Sequence, residues 1–146
     1  KVGRPPKVDL PQERRLQQLM VEAAGLGLLK SAHDCAEGGL AVALAECCIA
    51  EEEHRVGAVV DSSRITHHSS LRPDALLFGE SSGRIVVTCE PTQQVRLLAL
   101  ARARRVPCVV LGRVGGGRRL VIRPWIDAAV EVLNEVWRSS IARHFG

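Results

Sequence analysis

One segment, Ser31-Ala32-His33-Asp34-Cys35-Ala36-Glu37-Gly38-Gly39-Leu40, limits what this chain can fold into more than any other. A short apolar run, Leu28 to Ala32, leads into it, and an Ala- and Leu-rich run from Gly38 to about Glu51 leads out. That order predicts a strand giving way to a helix. A helix N-terminus leaves backbone N–H groups unpaired and carries partial positive charge, so it suits an anion such as phosphate. Gly38 and Gly39 let the backbone approach a ligand closely. Asp34 supplies a hard carboxylate able to hold Mg²⁺ beside that phosphate, and Glu37 adds a negative charge where a helix start favours one. The same residues also make a well-capped helix: Asp34 as N-cap, Glu37 three residues on, and glycines for tight helix–sheet packing. Residue types alone leave both readings open.

The rest of the chain alternates between the two periods. Residues 1–10 carry Gly3, Pro5 and Pro6 and predict an arm or linker, with one domain over 11–146. Asp9 can cap a helix with Pro11 in its first turn and Gln12 three residues after the cap. Leu16, Leu19, Met20 and Ala23 then recur at helical spacing, and Gly25 and Gly27 end the helix. Strands are expected at Leu28–Ala32, Val56–Asp61, Arg84–Cys89, Val106–Leu111 and Arg119–Ile122. The helix from Gly38 puts Leu40, Ala43, Leu44 and Cys47 on one face, and Gln93–Arg104 puts Val95, Leu98 and Ala99 on its apolar side, with the stem of Arg102. Leu71–Phe78 allows a short helix with Pro73 in its first turn. A last helix, Ile126–His144, carries the stripe Ile126, Val130, Leu133, Trp137 and Ile141. The order predicts an α/β (α+β) fold, one mixed sheet packed with helices.

Composition narrows the function classes. The hydrophobic share of 46% and charged share of 25% are those of a globular protein. Net charge is +4, the excess coming from arginines dense between Arg102 and Arg123. No aromatic side chain lies among these up to Arg123, so the stacking platforms of single-stranded nucleic-acid binders are missing. A phosphorylated small molecule, a partner subunit or a solvated surface explains the charge. Cys35, Cys47, Cys48, Cys89 and Cys108 form no CxxC pair and read as reduced core thiols of a cytoplasmic protein. The longest apolar stretch, Gly38–Ala50, is broken by Glu46 and falls short of a membrane span.

Two further glycine-bearing segments carry polar groups. Leu76-Leu77-Phe78-Gly79-Glu80-Ser81-Ser82-Gly83-Arg84 precedes the strongest predicted strand. Its serines can hydrogen-bond a substrate, and Arg84 can serve a phosphate or pair with Glu80; a plain turn into a strand is the simpler reading. Gly112-Arg113-Val114-Gly115-Gly116-Gly117 lacks the following helix and Lys-Ser/Thr ending of a P-loop, and is expected to be a hairpin turn. His67-His68 sits in a polar stretch with no Cys or acid at ligand spacing, and His54 and His144 are expected at helix ends.

The run SAHDCAEGGLAVALAE resembles the signature of the last domain of the phosphoribosylformylglycinamidine synthases, typically HD-x-S-EGGLA-x-x-LAE. Pro5 to Leu10, LFGESSGRIVV, Leu111-Gly112-Arg113-Val114 and a closing helix with Trp137 are similar in the same order, so the likeness spans nearly the whole chain. The resemblance implies the C-terminal domain of the aminoimidazole-ribonucleotide-synthetase-like superfamily, a sandwich that completes a cleft whose ATP site lies mostly in N-terminal domains of the same chain. It implies the ATP-dependent amidation of formylglycinamide ribonucleotide, a carbon–nitrogen ligase step of purine biosynthesis. In that step an amide oxygen attacks the γ-phosphate of ATP, and ammonia from a glutaminase subunit or domain displaces the phosphate. Mg²⁺ and ATP or ADP are the implied cofactors, and the fragment alone is expected to be inactive.

Carried over by position, Asp34 matches a metal-associated carboxylate, and Glu80, Ser81 and Ser82 match a substrate-contacting loop. Together with His33, Glu37, Gly38, Gly39 and Arg84, these last three are the expected nucleotide- or substrate-binding residues. Ala36 stands where the family usually has Ser, and Ser82 where Gln is common; both departures shorten reach toward a ligand. They also suit a structural domain with a vestigial nucleotide site that completes the pseudodimer and docks the glutaminase. The selenophosphate-synthetase-like and thiamine-phosphate-kinase-like relatives lack EGGLA-x-x-LAE in this form.

Overall fold

A computed structural model describes residues 8–65 and 71–145. Lys1–Lys7 of the predicted arm, His67 and His68 lie outside the described residues. The elements run α1 (Leu10–Gly25), β1 (Ser31–Asp34), α2 (Gly39–Ile49), β2 (Ala58–Asp61), α3 (Pro73–Phe78), β3 (Ile85–Thr88), α4 (Gln94–Ala103), β4 (Gly112–Val114), β5 (Arg119–Arg123), β6 (Ile126–Ala129) and α5 (Val130–Phe145). The fold is α/β, as expected, but the described strands form two sheets where one was predicted: a β1–β3 pair and a four-stranded sheet ordered β4-β2-β5-β6. The described residues fall into two compact units, those within 1–43 and 72–109 and those within 44–71 and 110–146. No described helix is long and apolar enough to cross a membrane.

In the first unit, α1 and α4 lie on the β1–β3 ribbon. Asp9 caps α1, its carboxylate accepting the Gln12 N–H at 2.9 Å, with Pro11 in the first turn. Leu16, Leu19 and Ala23 are buried from α1, and Met20 packs beside them. They meet Ala101 and Val106 in one cluster, Leu28 and Leu97 in another, with Ile85 and Val87 of β3 packed against them. The buried side of α4 is therefore Leu97, Leu100 and Ala101, not the predicted Val95, Leu98 and Ala99; Val95 is 75% exposed. The sequence QVRLLALARA holds two overlapping helical stripes. The chosen one also turns Arg104 onto the Glu22 carboxylate of α1, with which it forms an ion pair.

The second unit is built on β2. Ala58 and Val60 pair in parallel with Leu120 and Ile122, and all four are buried. The strand predicted at Val106–Leu111 is not formed. Pro107 has no N–H to give a ladder, and only the Leu111 carbonyl joins, accepting the Asp61 N–H at 2.9 Å. Pairing begins at Gly112, antiparallel to β2. Gly112–Gly117 is consequently not a hairpin turn, because β2 lies between β4 and β5; the Gly115 N–H instead donates to the Gly57 carbonyl at 2.7 Å.

The last helix also starts later than predicted. Ile126–Ala129 is a strand paired with β5 around the Pro124-Trp125 turn, and Val130, the first residue of α5, still donates to the Arg118 carbonyl at 3.0 Å. Of the predicted stripe, Val130 is fully buried and Leu133 half-buried, while Trp137 is 58% exposed. His54 is not at a helix end, since α2 stops at Ile49.

Around α2 more of the surface is buried than one face. Leu40, Ala41, Ala43, Leu44, Cys48 and Ile49 are all below a tenth exposed, and Cys47, expected inside, is less buried than Cys48. Burial, and then the neighbouring Cys47 thiol, push Cys48 from its ordinary 9.0 up to about 11.

Candidate functional site

Antiparallel pairing of β1 with β3 decides where the two motif segments meet. Asp34 stands opposite Ile85, so the chain leaving β1 and the chain entering β3 emerge at the same end of the ribbon. The ladder continues one step beyond the strands: the Cys35 N–H donates to the Arg84 carbonyl at 3.0 Å. Ser31 and Thr88 close the other end through their hydroxyls, 2.7 Å apart.

At the mouth of α2 the Gly38 N–H donates to Glu80 Oε1 at 2.9 Å, across 42 residues of sequence. A carboxylate thus occupies the helix N-terminus, where negative charge is stabilised. Gly38 and Gly39 both have positive φ, +71° and +74°. The crowding at Gly39 is internal: a Cβ there would lie 2.7 Å from the Phe78 carbonyl carbon and 2.8 Å from the Leu77 oxygen. Close approach by α3 is what the missing side chain of Gly39 permits.

α3 is held from the other side. Pro73 is in its first turn, and Arg72 donates twice to Asp74, at 3.1 and 3.0 Å, which lowers the Asp74 carboxyl below its ordinary value. At its far end the Arg84 guanidinium donates to the Leu76 carbonyl at 3.2 Å and to that of Gly79. Arg84 does not pair with Glu80; it satisfies carbonyls at a helix C-terminus, where a cation is favoured.

The remaining predicted residues flank this junction, His33 half-buried and the others facing solvent. Asp34 is 68% exposed. It ends β1 instead of capping α2, which starts at Gly39. His33 Nδ1 lies 2.6 Å from the Asp34 carbonyl oxygen, which requires the proton on Nδ1, and 3.8 Å from Oδ1 of the same residue. Ala36, Glu37, Ser81 and Ser82 are exposed. Among the described residues, no group of three His, Cys, Asp or Glu side chains comes together. Mg²⁺ asks less than that of a protein, commonly one or two carboxylates with phosphate and water completing its octahedron, and exposed Asp34 fits that donor set.

Cys35, expected in the core, is buried at 2% exposure between the motifs. Two participants were not visible in the sequence. The Leu77-Phe78 backbone is the surface on which Gly39 packs. Glu13, in the first turn of α1, reaches Gly83, where an added Cβ would lie 2.7 Å from its carboxylate. No periodicity or spacing announces either.

The matches to known proteins fall on this arrangement. Residues 2–123 match the family model described as AIR synthase related protein, C-terminal domain. The chain is 43% identical over 143 residues to the phosphoribosylformylglycinamidine synthase subunit PurL of Moorella thermoacetica, and 40% identical over 141 residues to that of Anaeromyxobacter dehalogenans. Each match covers 95% of this chain and 18% of the relative, so the chain spans about a fifth of the length of those curated relatives. Among solved structures, Thermotoga maritima PurL complexed with AMPPCP superposes with a TM-score of 0.74 at 25% identity, covering 87% of this chain and 22% of that one. The same protein complexed with FGAR gives 0.70 at 25% identity, covering 84% and 21%. By the extent of the family match, the chain belongs to the AIR synthase related protein, C-terminal domain family.

Proposed function

We propose that this chain is the C-terminal domain of a phosphoribosylformylglycinamidine synthase. Its part in the ATP-dependent amidation of formylglycinamide ribonucleotide is to close one side of a nucleotide- or substrate-binding cleft. The observation that carries the reading is the meeting of the two motifs at one end of the β1–β3 ribbon, in a chain whose relatives are PurL subunits. Around that junction Asp34, Glu37, Ser81 and Ser82 present oxygens to solvent.

Each would do separate work. Ser81 and Ser82 hydroxyls can donate to phosphate or ribose oxygens. The Asp34 carboxylate would hold Mg²⁺, with His33 beside it. A bound Mg²⁺ would supply charge neutralisation on a phosphate. The Gly38 N–H is already engaged by Glu80, so an anion finds its partners in the serines and in the cation at Asp34. The other domains of the same polypeptide and a glutaminase are the proposed partners, and ATP or ADP the proposed nucleotide.

A second reading has one observation in its favour. The α2 mouth is satisfied internally by Glu80, and Ala36 offers no hydroxyl there. A domain that only completes the assembly would look this way.

The test is Asp34→Ala in the full-length synthase, read by bound nucleotide and by turnover with Mg²⁺-ATP and formylglycinamide ribonucleotide. We expect bound nucleotide to fall at least about tenfold, the cost of one charge-assisted contact. Unchanged nucleotide content and unchanged turnover would leave the structural reading standing.

A further inference from the structure

Two of the residues expected at the ligand site spend their charged groups on the protein's own backbone. Glu80 Oε1 accepts the Gly38 N–H at 2.9 Å, and the Arg84 guanidinium donates to the carbonyls of Leu76 and Gly79. Between them lie two backbone contacts that need no side chain: Cys35 N–H on the Arg84 carbonyl, and Gly39 against Leu77 and Phe78. α3 has six residues, too few to hold a helix by itself. Its C-terminal carbonyls are met by a cation, and the N-terminus of α2 is met by an anion, both from the segment that joins α3 to β3. The charges complement the two helix ends as their dipoles require.

We infer that Glu80 and Arg84 are positioning residues that lock the 79–84 loop to the mouth of α2 and the end of α3. In this way they fix the spacing between Asp34 on one strand and Ser81 and Ser82 on the loop, and the ligand contacts fall to those three. The inference rests on the ligand-binding reading given above. Glu80 acts through the position of Gly38, as an acceptor. A neutral amide oxygen in the same place can accept the same N–H, so Glu80→Gln keeps the hydrogen bond and gives up only the smaller charge–dipole contribution.

That distinction sets the experiment. Steady-state kinetics of the full-length synthase with Mg²⁺-ATP, formylglycinamide ribonucleotide and ammonia would compare Glu80→Ala, Glu80→Gln, Arg84→Lys and Asp34→Ala. For Glu80→Ala we expect KM for nucleotide or ribonucleotide to rise about tenfold, with a smaller change in kcat, as for one lost hydrogen bond to a charged group. Glu80→Gln should recover most of that loss. Arg84→Lys, whose single ammonium cannot fork across two carbonyls, should raise the same KM in the same direction, by less.

If Glu80→Gln is as impaired as Glu80→Ala, the charge itself meets the ligand and the positioning role is overturned while the ligand site stands. If Asp34→Ala and both Glu80 variants leave every KM and kcat unchanged, the ligand site fails and this inference fails with it. Should Glu80→Ala not fold, the comparison of wild type with Glu80→Gln and Arg84→Lys still decides between charge and position.

Discussion

The first two helices of the chain begin in opposite ways. α1 is capped by Asp9, which reaches the Gln12 N–H three residues on. The N–H just before α2 is taken by Glu80, 42 residues away. The first arrangement stabilises a helix as a local unit and says nothing about the rest of the fold. The second depends on the pairing of β1 with β3, which brings residue 80 to residue 38. A locally capped helix end is a structural stop; one capped from a distant loop is a joint between segments, and here both segments carry the family's motifs.

The two ends should respond differently to substitution. The largest effect is expected at the joint's backbone: Gly39→Ala places a Cβ 2.7 Å from main-chain atoms of Phe78 at a φ of +74°. Neither the strain nor the clash can be relieved by a side-chain movement. We expect a loss of about 3 kcal/mol or more in urea unfolding, and a loss under about 1 kcal/mol would mean that α3 does not press on α2. Next comes Asp9→Ala, which removes a local cap and should cost about 1 kcal/mol by the same measurement. Because that loss is confined to α1, the Glu80→Ala and Asp9→Ala effects should add within about 0.5 kcal/mol in a double-mutant cycle. Strong coupling would show that the two helix starts are not separate.

The contrast extends to the far end of α1. Gly25 has open space where a Cβ would go, so Gly25→Ala should stabilise by about 0.5 kcal/mol, the reverse in sign of Gly39→Ala. The smallest effect is expected at the end of α2 remote from the joint. The buried Cys48 thiol is pushed up to about 11, so its folded-state pKa exceeds the ordinary 9.0. Its contribution is fully present below about pH 9 and is lost as the pH rises through about 11. Cys48→Ala should flatten stability across that window. An unchanged slope would assign alkaline loss to other groups.

How much of this the sequence reveals follows from the same contrast. Asp9, Pro11 and Gln12 mark α1, and its buried residues follow the spacing of Leu16, Leu19 and Ala23, because cap and period are local properties. β3 is legible from its β-branched run. The strand order around β2 is not, because β2 separates two segments that are neighbours in sequence and would otherwise pair as a hairpin. Ile126–Ala129 misled for a related reason: a strand of four residues leading straight into a helix can continue the helical stripe by coincidence of spacing. The face of α4 was ambiguous in QVRLLALARA and was settled by the partner, with Arg104 reaching Glu22.

At the candidate site, the identity of the motif residues was legible and their division of labour was not. Glu80 looked like a ligand contact because its segment resembles a substrate-contacting loop, and Arg84 because a guanidinium can serve a phosphate. Only the register Asp34↔Ile85 shows that their partners are the Gly38 N–H and the carbonyls of α3. Gly39 carries a similar lesson. Its freedom from a side chain is used against Leu77 and Phe78, a contact that depends on residues nearly forty positions away.

The central claim, that the two motifs form one joint through Glu80, has a direct physical readout in the amide hydrogen exchange of Gly38. In the wild-type chain that N–H is bonded to a carboxylate and should exchange slowly. In Glu80→Ala it should exchange at least about tenfold faster, the ratio expected for one lost charge-assisted hydrogen bond, while Gln12 of α1 stays as it was. Equal Gly38 rates in the two proteins would contradict the account.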